Sequence, residues 1–190
     1  YDPEKKQDVI IKAVARCRHK HRISLVLAGF GPLKKRYERL ARRLGVDVRL
    51  AFFERDDLMR TIHESDLYVH AAEAEIEGIA CLEALASGLV PIIAKSKKSA
   101  SSQFALDDRS LFPTRNHKTL AERIDYWLDN AEEKRSMAAA YAASAEKYKI
   151  SHSMDLFEEM LKQAVFDHRR LQTVKTKKGR KLKKRITLPW

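Results

Sequence analysis

Glu75-Ile-Glu-Gly-Ile-Ala-Cys-Leu-Glu83, continuing as Ala-Leu-Ala-Ser-Gly88-Leu-Val-Pro91, reads as a short loop that becomes a helix near Gly78. After Gly88 it leads into an apolar strand, Leu89 to Ala94. Two carboxylates stand eight positions apart, with a glycine and the helix start between them. Backbone amides gather at such a start without partners inside the helix. A core would place apolar side chains at both acidic positions, so two acids flanking an apolar turn point to a ligand that carries hydroxyl groups.

On either side of this stretch, strand and helix patterns alternate. Val9, Ile10, Ala13, Val14 and Cys17 repeat at helical spacing. Ile23 to Ala28 reads as a strand that ends in Gly29-Phe30-Gly31-Pro32. Pro32 suits a first helical turn, Leu33, Tyr37, Leu40, Ala41 and Leu44 form the stripe of that helix, and Gly45 stops it. Val46 to Phe53 reads as a strand, Asp56 to Glu64 as a helix, and Leu67 to His70 as a strand. Leu111-Phe112 is one more short strand, and helices follow over about 117–129, 131–148 and 153–168. Strands separated by helices of this length predict a Rossmann-like three-layer α/β/α domain with a mainly parallel sheet. Ligands of such sheets sit beyond the carboxyl ends of the strands. The Gly29–Gly31 turn, the Phe53 turn and the Glu75–Gly78 loop all fall on that edge.

Composition sets limits on these readings. With 190 residues, of which 44% are apolar, the chain has the material for one sizeable core and little for a second full domain. Cys17 and Cys81 are the only cysteines, have no metal-like spacing, and fall on apolar sides of predicted helices. Two buried reduced thiols point to a reducing cytoplasm. No apolar run approaches the roughly 18 residues of a spanning helix. Ten of the 38 Lys and Arg stand in residues 169–190, which hold no acid. Residues 1–168 therefore carry 28 basic against 26 acidic side chains, and the net charge of +12 is largely a property of the tail. Such a run repels itself and is expected to be disordered, or to meet an anionic membrane or nucleic acid without sequence preference.

Asp66-Leu-Tyr-Val-His-Ala-Ala-Glu-Ala-Glu75 through Glu83-Ala-Leu-Ala-Ser-Gly88 resembles the donor-site signature of family 4 glycosyltransferases. Ala28-Gly29-Phe30-Gly31-Pro32 is similar to that family's Gly-x-Gly-Pro turn, and Glu4-Lys5 with Asp8 to its Glu-Lys-x-x-Asp opening. The likeness covers about residues 1–150, in order and at matching spacing. It implies the C-terminal, donor-binding half of a GT-B fold, with a first strand, its arginine and an acceptor-binding domain upstream. The expected organisation is a nucleotide-sugar domain over 1–168 and a basic tail over 169–190.

The same resemblance implies roles. Lys5 matches the lysine that contacts the donor diphosphate, although by pattern alone it reads as a solvated lysine. Gly78 lets the backbone approach the diphosphate, and the amides of Ile79 and Ala80 face it at the helix start, whose dipole favours an anion. Glu75 matches the carboxylate that meets the donor sugar, and Glu83 the one that takes both ribose hydroxyls. A carboxylate accepts two parallel hydrogen bonds from a diol, which suits an acid to that task. Glu83 also lies in a helix whose apolar neighbours suggest burial nearly all round, where an acid needs a partner. Phe53 and Leu58 match the places beside the nucleobase, and Gly29 and Gly31 open the turn toward the cleft. All four read equally well as plain structural positions.

A retaining, metal-independent transfer is implied, with a nucleotide sugar as substrate, UDP-sugar ahead of GDP-sugar, no cofactor, and a glycan or lipid-linked acceptor. Cytoplasmic work at the inner membrane face would suit the tail. Ile76-Glu77 departs from the family's usual Pro-Phe and brings a further negative charge near the phosphate position. Glu73, Glu75 and Glu77 alternate, which leaves a hard metal ion conceivable. His70, alone at a strand end, is assigned no role. Two other classes stay open: a GT-B relative that epimerises a nucleotide sugar, and a module that binds membrane or nucleic acid through its tail. The near-neutral charge of 1–168 argues against nucleic acid as the main ligand.

Overall fold

The computed structural model describes residues 1–178. It divides into two units, Tyr1–Glu146 and a second that begins at Lys147. Among the described residues the first unit holds every strand. These are β1 (Leu25–Ala28), β2 (Val48–Ala51), β3 (Leu67–His70), β4 (Ala74–Glu75), β5 (Val90–Lys95), β6 (Lys98–Ser99) and β7 (Leu111–Pro113). Its α-helices are α1 (Gln7–Val14), α2 (Lys34–Leu44), α3 (Arg55–His63), α4 (Ile79–Ala86), α5 (His117–Asp129) and α6 (Ala131–Ala145). The second unit contains α7 (Ile150–Lys178).

All four strand pairings are parallel, as the alternation of strands and helices predicts. The strands are shorter than their apolar runs suggest, and they form three ladders in place of one sheet. β1 pairs with β2, β3-β5-β7 form a second ladder, and the short β4 pairs with β6. β5 is the central strand of the core, with Val90, Ile92, Ile93 and Ala94 fully buried, as expected of a parallel strand covered on both faces. Trp127, Phe112, Leu120 and Tyr141 pack in the same cluster. Cys17 and Cys81 are buried free thiols.

Local chemistry sets the helix ends. Gly45 takes the left-handed conformation (φ 61°) that closes α2. The Asn116 side chain accepts the amides of Lys118 and Thr119 at the start of α5. α7 begins three residues before its expected start and runs ten residues past position 168, into the stretch read as a tail. Residues 179–190 of that stretch lie outside the described residues. Among the described residues no helix is long and apolar enough to cross a membrane.

Candidate active site

The segments beyond the carboxyl ends of β1, β2 and β3 carry the residues singled out in the sequence, apart from Lys5, which comes from the opening turn. After β1, Gly29 (φ 133°) and Gly31 (φ 146°) take backbone conformations that L side chains rarely adopt. Gly29 N–H donates to the Ala51 carbonyl at 2.8 Å, which ties this turn to the end of β2. Between them the exposed Phe30 ring meets the exposed Phe52 ring edge-on at 5.9 Å. Phe53 turns the other way, half-buried, with the Arg49 guanidinium 4.7 Å above its ring. Leu58 is half-buried on α3, and its amide donates to the Glu54 carbonyl.

After β3 the chain reaches Glu75 through β4. The β4–β6 pairing sets Glu75 opposite Ser99 and gives the acid a backbone anchor. Lys5, from the opening 3-10 turn Pro3–Lys5, donates to Glu75 Oε2 at 2.7 Å. This hydrogen bond is the largest influence on Glu75 and lowers its pKa, so the group is an ionised acceptor near neutrality.

Gly78 caps α4 at φ 72°. A Cβ there would come within 2.7 Å of Ser101 Oγ and 2.9 Å of Phe104 Cε2, so both space and backbone select glycine. With no side chain to cap them, the amides of Ile79 and Ala80 form an open helix start, and both residues are exposed. α4 is not buried all round. Cys81, Ala84 and Leu85 face the core, while Ile79, Ala80 and Ala86 are open and Glu83 is partly exposed. A run of apolar residues does not reveal which side of a helix faces solvent.

Three residues with no assigned role join the expected ones. Arg55, at the start of α3, places Nη1 3.6 Å from Glu83 Oε1 and so links the β2 side to α4. Nothing in the local sequence around either residue announces that pairing. His70 is buried, with Nδ1 3.2 Å from the Tyr68 hydroxyl and Nε2 3.1 Å from Ser101 Oγ. Its Nε2 also lies 3.9 Å from Glu75 Oε2. Burial lowers the His70 pKa and Glu75 partly offsets it, which leaves a neutral imidazole beside the acid. Glu73 pairs with Lys6 and Arg115. Glu77 points outward and is exposed. Among the described residues no group of His, Cys, Asp and Glu is placed to hold a metal ion.

Residues 1–145 match the family described as glycosyl transferases group 1. The catalytic domain of cholesterol-α-glucosyltransferase from Helicobacter pylori is 48% identical, with a TM-score of 0.77, over 78% of this chain and 94% of that one. Anabaena Alr3699/HepE, solved in complex with UDP, has a TM-score of 0.76 at 20% identity over 85% of this chain and 46% of that one. WaaG, a glycosyltransferase involved in lipopolysaccharide biosynthesis, has a TM-score of 0.64 at 24% identity over 75% of this chain and 40% of that one. These last two share the fold, and the chain spans less than half of either. No curated protein matches the chain. The order of strands and helices, the glycine turn and the Glu75 to Glu83 stretch thus agree with the match over 1–145: the chain belongs to the group 1 glycosyl transferases.

Proposed function

We propose that this chain is the donor-binding half of a retaining, metal-independent glycosyltransferase. It takes a sugar from a UDP-sugar and passes it to a lipid-linked or glycan acceptor held by a second domain. The observation that carries this reading is the Lys5–Glu75 contact of 2.7 Å on the strand edge where α4 begins. In a glycosyl transfer the bond between sugar and diphosphate breaks, a bond to the acceptor oxygen forms as its hydroxyl gives up a proton, and the nucleoside diphosphate leaves with the electron pair of the broken bond. The open start of α4 and Lys5 meet the charge that grows on the diphosphate. Glu83 accepts the ribose hydroxyls. Glu75, ionised through its contact with Lys5, accepts a sugar hydroxyl and supports positive charge at the anomeric carbon.

The 48% identity to a cholesterol-α-glucosyltransferase supports UDP-glucose as the first donor to test and a lipid as the acceptor class. The second domain is supported by the share of HepE and WaaG that this chain covers, 46% and 40%. Peripheral contact with an anionic membrane at the cytoplasmic face is part of the proposal. It is supported by the exposed apolar row Ile150, Met154, Phe157, Leu161 and Val165 on α7, and by the basic run of residues 169–190 in the sequence.

Calorimetric titration of UDP, GDP, UMP and UDP-glucose into the chain, with and without EDTA, tests the donor reading. Binding that prefers UDP and UDP-glucose, ignores EDTA and falls in Glu83→Ala is expected. Binding that requires a metal ion, or that Glu83→Ala leaves intact, overturns it.

A further inference from the structure

Among the described residues only two other than glycine have a positive φ, Lys6 at 52° and Arg115 at 63°. Both sit in the left-handed region, which an L side chain occupies only when its surroundings hold it there. They lie far apart in the chain, yet their side chains end on the same carboxylate. Lys6 Nζ is 3.2 Å from Glu73 Oε2. Arg115 donates to Glu73 through Nε and, at 2.9 Å, through Nη2. Two such conformations converging on one acid mark a strap built between loops.

The backbone of Glu73 is tied as firmly as its side chain. Its N–H donates to the Glu4 carbonyl at 2.9 Å. Its carbonyl accepts the Ser96 hydroxyl at 2.6 Å. One residue thus joins the opening segment, the loop after β3, the loop after β5 and the loop before α5. Lys5 stands between Glu4 and Lys6, both of which Glu73 holds. Glu75 stands two positions after Glu73, on the short β4. Glu73 therefore grips the chain on each side of the Lys5–Glu75 pair without taking part in it.

We propose that Glu73 is a positioning residue: held by Lys6, Arg115 and Ser96, it fixes the loops that set Lys5 against Glu75 in the geometry the donor meets. The functional meaning of that geometry rests on the donor-site reading above, whereas the strap itself does not.

The test separates the two. The carboxyl carbon of Glu75 is followed by NMR through a pH titration in the wild-type chain and in Glu73→Gln. The groups that face Glu75 are Lys5, the His70 imidazole and the Ile76 amide. Loss of the nearby negative charge at position 73 would by itself make Glu75 easier to ionise and lower its midpoint. Loosening of Lys5 raises it. A rise in Glu73→Gln is the expected result, and an unchanged or lowered midpoint overturns the proposal. If Glu73→Gln does not fold, Ser96→Ala decides alone, since it changes no charge and removes the hydroxyl that donates to the Glu73 carbonyl and accepts the Lys98 amide. A smaller rise is expected there, and no rise overturns the proposal. UDP-glucose titrated into the same samples should bind more weakly to Glu73→Gln, because a displaced contact group loses its alignment with the ligand. A wild-type chain that does not bind UDP-glucose removes the donor-site reading and leaves the strap to be judged by the Glu75 midpoint.

Discussion

Lys5 and Glu75 stand seventy positions apart in the chain and meet at 2.7 Å, with Lys5 donating to Glu75 Oε2. The pair joins a basic group suited to a leaving diphosphate with an acid suited to a sugar hydroxyl. Replacing the acid by an amide keeps the shape and removes the charge. Glu75→Gln is expected to weaken UDP-glucose binding by about tenfold or more, since a hydrogen bond to a charged group contributes about 1.5–3 kcal/mol. UDP binding should change much less. Calorimetry with both ligands checks this, and equal losses would show that Glu75 does not meet the sugar.

Glu83 and its neighbour Arg55 should separate in size. Glu83→Ala is expected to weaken UDP and UDP-glucose alike, because both carry the ribose. Arg55 Nη1 is 3.6 Å from Glu83, and the Arg55 side chain is 80% exposed. An exposed pair of this kind contributes about 0–1 kcal/mol. Arg55→Ala should therefore cost at most a few-fold in UDP affinity, and the loss should shrink as salt rises. Titrations at low and high ionic strength decide the point.

Gly78 is where local backbone and tertiary space agree. Gly78→Ala places a methyl group in the left-handed region, at about 1–2 kcal/mol. It also brings that group within 2.7 Å of Ser101 Oγ and 2.9 Å of Phe104. Denaturant unfolding should show a loss of at least that size, together with weaker UDP binding as the start of α4 moves. A fully stable Gly78→Ala protein would contradict the packing described for this turn.

Acid should unfold the protein through Glu73 among other groups. Its hydrogen bond to Arg115, with a second to Lys6, holds its pKa down at about 2, from an ordinary 4.5. The folded value lies below the unfolded one, so the unfolded chain binds more protons between them. The contribution is fully present above 4.5 and is lost as pH falls from there toward about 2. His70, also lowered, adds a loss that begins below its ordinary 6.5. Denaturant midpoints followed from neutral pH downward should decline through both windows, and Glu73→Gln should flatten the more acidic one.

Burial pushes both thiols up to about 12. Neither is a thiolate near neutrality, and Cys81 has no exposed surface. Ellman's reagent at mildly alkaline pH should therefore label neither cysteine in the folded protein and both in denaturant. Rapid labelling of the native chain would show that α4, or the turn that follows α1, opens readily.

Much of this protein is written in local pattern. The helix from Gly78, the strand that follows Gly88, the glycine turn after β1 and the alternation that makes every ladder parallel are set by neighbours a few residues apart, through hydrophobic period and the special backbone of glycine. Burial of Cys17 and Cys81 follows from the same periodicity. Tertiary structure alone decided that Lys5 reaches Glu75, that Lys6 and Arg115 take left-handed conformations to share Glu73, that Arg55 faces Glu83 and that His70 lies between Tyr68, Ser101 and Glu75. It also decided which apolar residues stay outside, such as Ile76 at 89% exposure and Ile79 at 57%. Periodicity says which side chains lie on one face of an element. Only the packing of elements distant in the chain says what that face meets.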